Sequence, residues 1–148
     1  MGGVFVGLWG AHYIYQVAVL FCVFMGLCIK PSMGKGRGVF AEKYFKKGEV
    51  IEECPIIFIA KEELVYLKRT VLRYYYYEWG QKEDCGAIIL GYGSLYNHST
   101  DSNAYYEHDE KLNVLRYIAL QEISPAEEIL VNYNGEPGDD DIPEFIDN

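Results

Sequence analysis

Three short clusters in this chain hold residue types that can do chemistry. The first, Gly34-Lys35-Gly36-Arg37-Gly38, puts three glycines and two bases in a tight turn that leads into a strand. Backbone N–H groups in such a turn can approach a ligand closely, and the cations suit a carboxylate or phosphate. The spacing is not the G-x-x-x-x-G-K-[ST] of a Walker loop and no helix follows, which argues against a nucleoside triphosphate. Read alone, the segment serves equally well as an ordinary glycine turn.

The second cluster is Asn97-His98-Ser99, followed by Asp101 and Asn103 and preceded by the apolar Ala87-Ile88-Ile89-Leu90. Polar side chains emerging from a core strand need partners, so this is either a ligand site or a satisfied turn with His98 as a hydrogen-bonded core residue. His98 and His108 have no third ligand at a spacing typical of a helix or hairpin, so no metal site is expected. The third cluster centres on Tyr133, which follows Glu127-Glu128 and an apolar stretch and precedes the turn signal Asn134-Gly135. A phenol there can point into a cleft. With 14 tyrosines in the chain, identity alone does not make any one of them functional.

The elements that must position these clusters are mostly short strands. Strands are expected at Leu27 to Lys30, Arg37 to Ala41, Glu49 to Cys54 and Ile56 to Ala60, with Lys46-Lys47-Gly48 as a turn. Leu64, Leu67, Val71, Leu72, Tyr75 and Trp79 recur at spacings of three and four, which predicts one helix with Tyr75 and Tyr76 on its inward side. After a polar loop comes the apolar segment Ala87 to Tyr96. Leu112 to Ala119 reads as a strand, and Ile129, Val131 and Tyr133 alternate as one face of a last strand. The sum is a mostly β fold with one or two short helices.

Composition sets the outer limits. At 148 residues and 50% hydrophobic, the chain suits one folded unit at residues 25–135, flanked by an apolar segment at 1–24 and an acidic tail at 136–148. Cys22, Cys28, Cys54 and Cys85 lack the paired short spacings of a zinc site, and idle thiols indicate a reducing, intracellular setting. Of the net charge of -9, six negative charges fall in the tail, leaving 16 acids against 13 bases elsewhere. Such a surface argues against direct nucleic-acid binding and suits a basic polypeptide partner. The tail by itself reads as a solvated end. Val4 to Phe24 is long enough to span a bilayer as a helix, so membrane association through residues 4–24 is open, as are a helix packed on the domain and a non-native start.

The three clusters occur in the order and spacing of SET-domain protein lysine methyltransferases. Gly36-Arg37-Gly38-Val39-Phe40-Ala41 resembles the family's N-terminal motif. Gly91-Tyr92-Gly93-Ser94-Leu95-Tyr96-Asn97-His98-Ser99 resembles its cofactor-binding motif, and Glu127-Glu128-Ile129-Leu130-Val131-Asn132-Tyr133 its final one. The likeness covers roughly residues 27–135 and is to the compact stand-alone members. It departs at Thr100 and Ser102, where the family often has Cys and Pro, and at Ala126, where Gly is usual. A position that needs positive φ would strain Ala126 and reshape the turn after Pro125. No Cys-x-Cys cluster follows Tyr133, so the zinc-binding post-SET segment is missing, and Phe145 is the candidate for an aromatic lid or a tail anchor.

The resemblance implies a SET fold of several small sheets with a knotted C-terminal strand, and a protein-lysine N-methyltransferase using S-adenosylmethionine. Lys35, Gly36 and Gly38 would bind the methionine end of the cofactor, Asn97 and His98 its amino group and adenine, and Tyr133 with Tyr75 would orient the lysine amine. The substrate would be a basic protein or peptide such as a histone tail, and a homodimer could complete the channel. The alternative is an inactive SET fold serving as a peptide-binding scaffold.

Overall fold

The computed structural model describes residues 26–80, 84–136, 138, 139 and 141. Among these residues nine strands build two sheets. β1 (Leu27–Ser32) and β2 (Gly36–Ala41) form an antiparallel hairpin around the glycine turn, in register from Leu27 opposite Ala41 to Ser32 opposite Gly36. The remaining strands are β3 (Val50–Ile59), β4 (Tyr76–Trp79), β5 (Cys85–Ile89), β6 (Asn97–His98), β7 (Ala104–Asp109), β8 (Val114–Ala119) and β9 (Leu130–Val131). They lie in the order β4-β5-β3-β8-β7-β9-β6. Among the described residues the fold is mostly β, with one α-helix, α1 (Lys61–Leu67), and two 3₁₀ turns at Val71–Tyr74 and Gly93–Leu95.

The sequence divides Glu49 to Ala60 at Pro55, yet the chain runs through as one ten-residue strand. Proline interrupts a ladder because it has no N–H. Here the interruption coincides with a change of partner: Val50 to Pro55 pair with β8, and Ile56 to Ile59 pair with β5.

The single helix expected from Leu64 to Trp79 is not formed. α1 stops at Leu67, where Thr70 Oγ1 donates to the Leu67 carbonyl and accepts the Leu72 N–H. Val71 and Leu72, assigned to the inward face, are 67% and 46% exposed. The β-branched and aromatic run that follows favours a pleated surface, and Tyr76–Trp79 pairs with β5. Strand alternation then sends Tyr77 and Trp79 inward, replacing the expected Tyr75 and Tyr76 pair. β7 carries no clear alternation and is absent from the sequence reading.

The core lies between the hairpin and the larger sheet. Leu27, Val39, Phe45, Leu115, Ile129 and Val131 are fully buried in it, so Ile129 and Val131 do share one inward face. The start of the acidic tail is not simply solvated: the Asn132 and Asn134 amides donate to the carbonyls of Asp139 and Asp141. Residues 4–24, Cys22 and Phe145 lie outside the described residues. Among the described residues no helix is long and apolar enough to cross a membrane.

Candidate active site

Two-residue strands do the decisive positioning. β6 pairs in parallel with β9, Asn97 opposite Leu130 and His98 opposite Val131, which sets the second cluster beside the third. Two residues past β9, Tyr133 comes back against His98 with the ring centres 5.2 Å apart. The Tyr133 N–H donates to His98 Nδ1 (3.1 Å), its hydroxyl donates to the Tyr96 carbonyl (2.8 Å), and its own carbonyl accepts from the Tyr106 hydroxyl (3.1 Å). The glycine turn closes the arrangement, because Lys35 Nζ donates to the His98 carbonyl at 2.7 Å. Lys35, His98, Ser99, Thr100 and Tyr133 together line a cleft of about 500 Å³.

Asn97 stands just behind this cleft with its amide turned into the protein. Its Nδ2 donates to the Arg37 carbonyl (3.0 Å) and to Glu128 Oε1 (2.7 Å), and Ser32 Oγ donates to Glu128 Oε2 (2.9 Å). Glu128 thus ties β1, β2 and β6 to the final motif. Gly38 sits under the same carboxylate, and a Cβ there would lie 2.1 Å from Glu128 Oε1. Gly36 opens β2 with free space above it. Tyr75 caps the 3₁₀ turn Val71–Tyr74, and its carbonyl accepts from Ser94 Oγ (2.8 Å).

Burial pushes the Tyr133 phenol up to about 12, and the nearby Tyr75 phenol adds to the effect. The hydroxyl therefore stays protonated, a fixed donor, at neutral pH. Burial, assisted by the charge of Lys35, holds His98 below its ordinary value, which keeps Nδ1 free to accept the Tyr133 N–H. The site offers a cation, a hydroxyl oxygen whose proton is held by the Tyr96 carbonyl, backbone carbonyls and ring faces. Among the described residues no group of three or more His, Cys, Asp or Glu could hold a metal.

Tyr77, Tyr106 and Tyr117 belong to no motif that would mark them in the sequence. The Tyr117 hydroxyl donates to the Gly93 carbonyl (2.7 Å) and lies 3.0 Å from the Tyr77 hydroxyl, while the Tyr77 and Tyr106 rings meet edge to face at 5.2 Å. For Tyr77 and Tyr117 the signal is strand alternation, which becomes readable once β4 and β8 are placed, whereas β7 gives Tyr106 none.

Residues 36–134 match the model of the SET domain family. A histone-lysine N-methyltransferase of Schizosaccharomyces pombe, specific for H3 lysine-37, is 35% identical over 106 residues that cover 71% of each chain. The chain belongs to the SET family. The crystal structure of a Plasmodium falciparum SET neighbour, provisionally assigned as a histone methyltransferase, matches with a TM-score of 0.61 at 37% identity, covering 73% of this chain and 92% of that one. A Chaetomium thermophilum polycomb repressive complex 2 bound to S-adenosylmethionine matches with a TM-score of 0.62 at 20% identity. It is covered to 16% and shows likeness of fold. As a SET protein the chain is a protein-lysine methyltransferase that uses S-adenosylmethionine. The cleft fits that cofactor, since Lys35 complements a carboxylate and the His98 and Tyr133 rings offer flat faces to an adenine.

Proposed function

We propose that this SET domain methylates a lysine in a basic protein tail, with histone H3 as the first candidate. Lys35, Gly36 and Gly38 would hold the methionine end of S-adenosylmethionine, and Asn97 and His98 its amino group and adenine. Tyr133, assisted by Tyr75, would orient the lysine amine. When bound, the cofactor supplies a methyl group on a positively charged sulfur, which leaves as a neutral thioether while the new N–C bond forms.

The protein's part is placement. A neutral amine must stand in line with the S–C bond, so proximity and orientation carry the rate. The observation that carries this reading is the Tyr133 hydroxyl fixed on the Tyr96 carbonyl beside the cleft. A rigid phenol and carbonyls can orient an amine and stabilise the charge that develops on it, with no reorganisation during the reaction. A second hollow of about 460 Å³ carries Tyr105, Tyr106, Glu107 and Glu136 with Lys47 as its one cation, and its two acids and rings suit a basic peptide. A histone substrate would place the protein's work in the nucleus or cytoplasm.

Transfer of radiolabelled methyl from S-adenosylmethionine to histone H3, and to a panel of basic peptides, tests the proposal. Label on a lysine supports it. Cofactor binding without transfer to any of these acceptors would favour the scaffold reading instead.

A further inference from the structure

The chain buries an acid that the proposed chemistry does not use. Glu52 lies on β3 and is 7% exposed, although Glu53 beside it is exposed. The cause is local. The pairing of β3 with β8 shifts register between Val50 and Glu52, and such a bulge breaks the alternation, so Ile51 and Glu52 both turn inward. Burying a carboxyl group is costly unless its oxygens are hydrogen-bonded. Both are: Oε1 accepts the Tyr92 N–H (3.1 Å) and Oε2 accepts the Tyr96 hydroxyl (2.9 Å).

Tyr92 and Tyr96 are the two residues flanking the 3₁₀ turn Gly93–Leu95. One carboxyl group therefore grips the turn at both ends. The chain accommodates it closely, since Gly91 has φ +65° and a Cβ there would lie 2.3 Å from Glu52 Oε1. The Tyr96 ring is held further by stacking on Tyr117 at 4.2 Å. Downstream of this grip, the Tyr96 carbonyl receives the Tyr133 hydroxyl and Asn97-His98 begins β6.

We infer that Glu52 is a positioning residue for the methyl-transfer site: by holding Tyr92 and Tyr96 it sets the Tyr96 carbonyl and the start of β6 where Tyr133 and the cofactor cleft require them. The inference rests on the proposed assignment of Asn97, His98 and Tyr133 to that site.

Glu52→Ala removes both arms, and Glu52→Gln retains an acceptor for the Tyr92 N–H and an amide that can pair with the Tyr96 hydroxyl. In the full chain without ligand, amide NMR of Glu52→Ala should show the Tyr133 N–H resonance displaced and its hydrogen exchange accelerated ahead of the amides of β7 and β8. Binding of S-adenosylmethionine, followed by calorimetry, should weaken by about tenfold or more. Glu52→Gln should recover most of both effects. An unmoved Tyr133 amide and wild-type affinity in folded Glu52→Ala would overturn the inference, as would uniform loss of protection across all core amides. Should Glu52→Ala fail to fold, Tyr96→Phe removes one arm while keeping the ring stack, and must displace the same Tyr133 amide. Failure of the wild-type chain to bind S-adenosylmethionine would sink the cofactor reading, and the amide data would still decide the role of Glu52.

Discussion

The hydroxyl of Tyr133 is bonded to the carbonyl of Tyr96 across 37 residues of sequence, so the last motif of the domain is latched to the residue that introduces Asn97 and His98. On the proposed role of that hydroxyl in orienting the lysine amine, Tyr133→Phe should separate turnover from binding. We expect kcat to fall about 100-fold or more while the affinity for S-adenosylmethionine stays within about twofold. Parallel methyl-transfer kinetics and calorimetry check this. Wild-type turnover would remove the phenol from the mechanism.

His98 should make the site sensitive to mild acid. Its folded-state value is held below the ordinary 6.5, chiefly by burial, so the unfolded chain takes up protons first as pH falls. The associated stability is present in full above about 6.5 and is lost as pH drops through the lower folded value. Protonation of Nδ1 also removes the acceptor for the Tyr133 N–H. The expected result is an imidazole titration below 6.5 by NMR, with the Tyr133 amide resonance moving at the same midpoint. A midpoint above 6.5 would contradict it.

Asn97 holds its neighbours through donors alone, and this predicts an order among its variants. Asn97→Ala should weaken cofactor binding by freeing the Arg37 carbonyl and Glu128 from each other. Asn97→Asp should be worse, since it sets a second carboxylate against Glu128 and should cost about 2 kcal/mol of stability near neutral pH. Chemical denaturation at pH 7 and again near pH 4 measures both, and the penalty of Asn97→Asp should shrink at the lower pH. Equal stability of the two variants would count against a direct Asn97 to Glu128 bond.

Ala126 pays a conformational cost that glycine would not. The turn Ser124 to Glu127 is closed by the Glu127 N–H donating to the Ser124 carbonyl (3.1 Å), and Ala126 follows Pro125 at φ +70°. The left-handed conformation is adopted with alanine in place, so the turn is strained. Ala126→Gly should therefore stabilise the domain by about 1 kcal/mol and raise Tm by about 2 to 4 °C, with methyl transfer unchanged. Differential scanning calorimetry decides it, and a lower Tm would show that the strain is relieved elsewhere.

The glycine turn and the Ile129, Val131 alternation were readable in the sequence because each depends on a local signal that the tertiary structure leaves alone. Leu64 to Trp79 misled because a helical spacing of apolar residues coincided with a run of strand-forming tyrosines, and pairing with β5 settled the competition. Glu52 could not be found from sequence, as an acid next to Glu53 in a strand looks like surface until the bulge turns it inward. The three candidate clusters were visible as residue types. What joins them, Lys35 to the His98 carbonyl and Glu128 to Ser32 and Asn97, is set by contacts across 63, 96 and 31 residues, beyond the reach of any local pattern.

The pairing of β6 with β9 has a consequence for how the protein comes into being. Two residues on each side form that ladder, and neither strand can persist alone, so the cleft has no precursor in either half of the chain. A polypeptide still emerging from the ribosome carries Lys35 and His98 but lacks the β9 ladder and the Tyr133 ring that complete the cleft around them. Contacts of such long sequence separation form late and slowly. Completion of the cleft is thus the closing event of assembly, and a truncation short of Tyr133 leaves it without one of its walls.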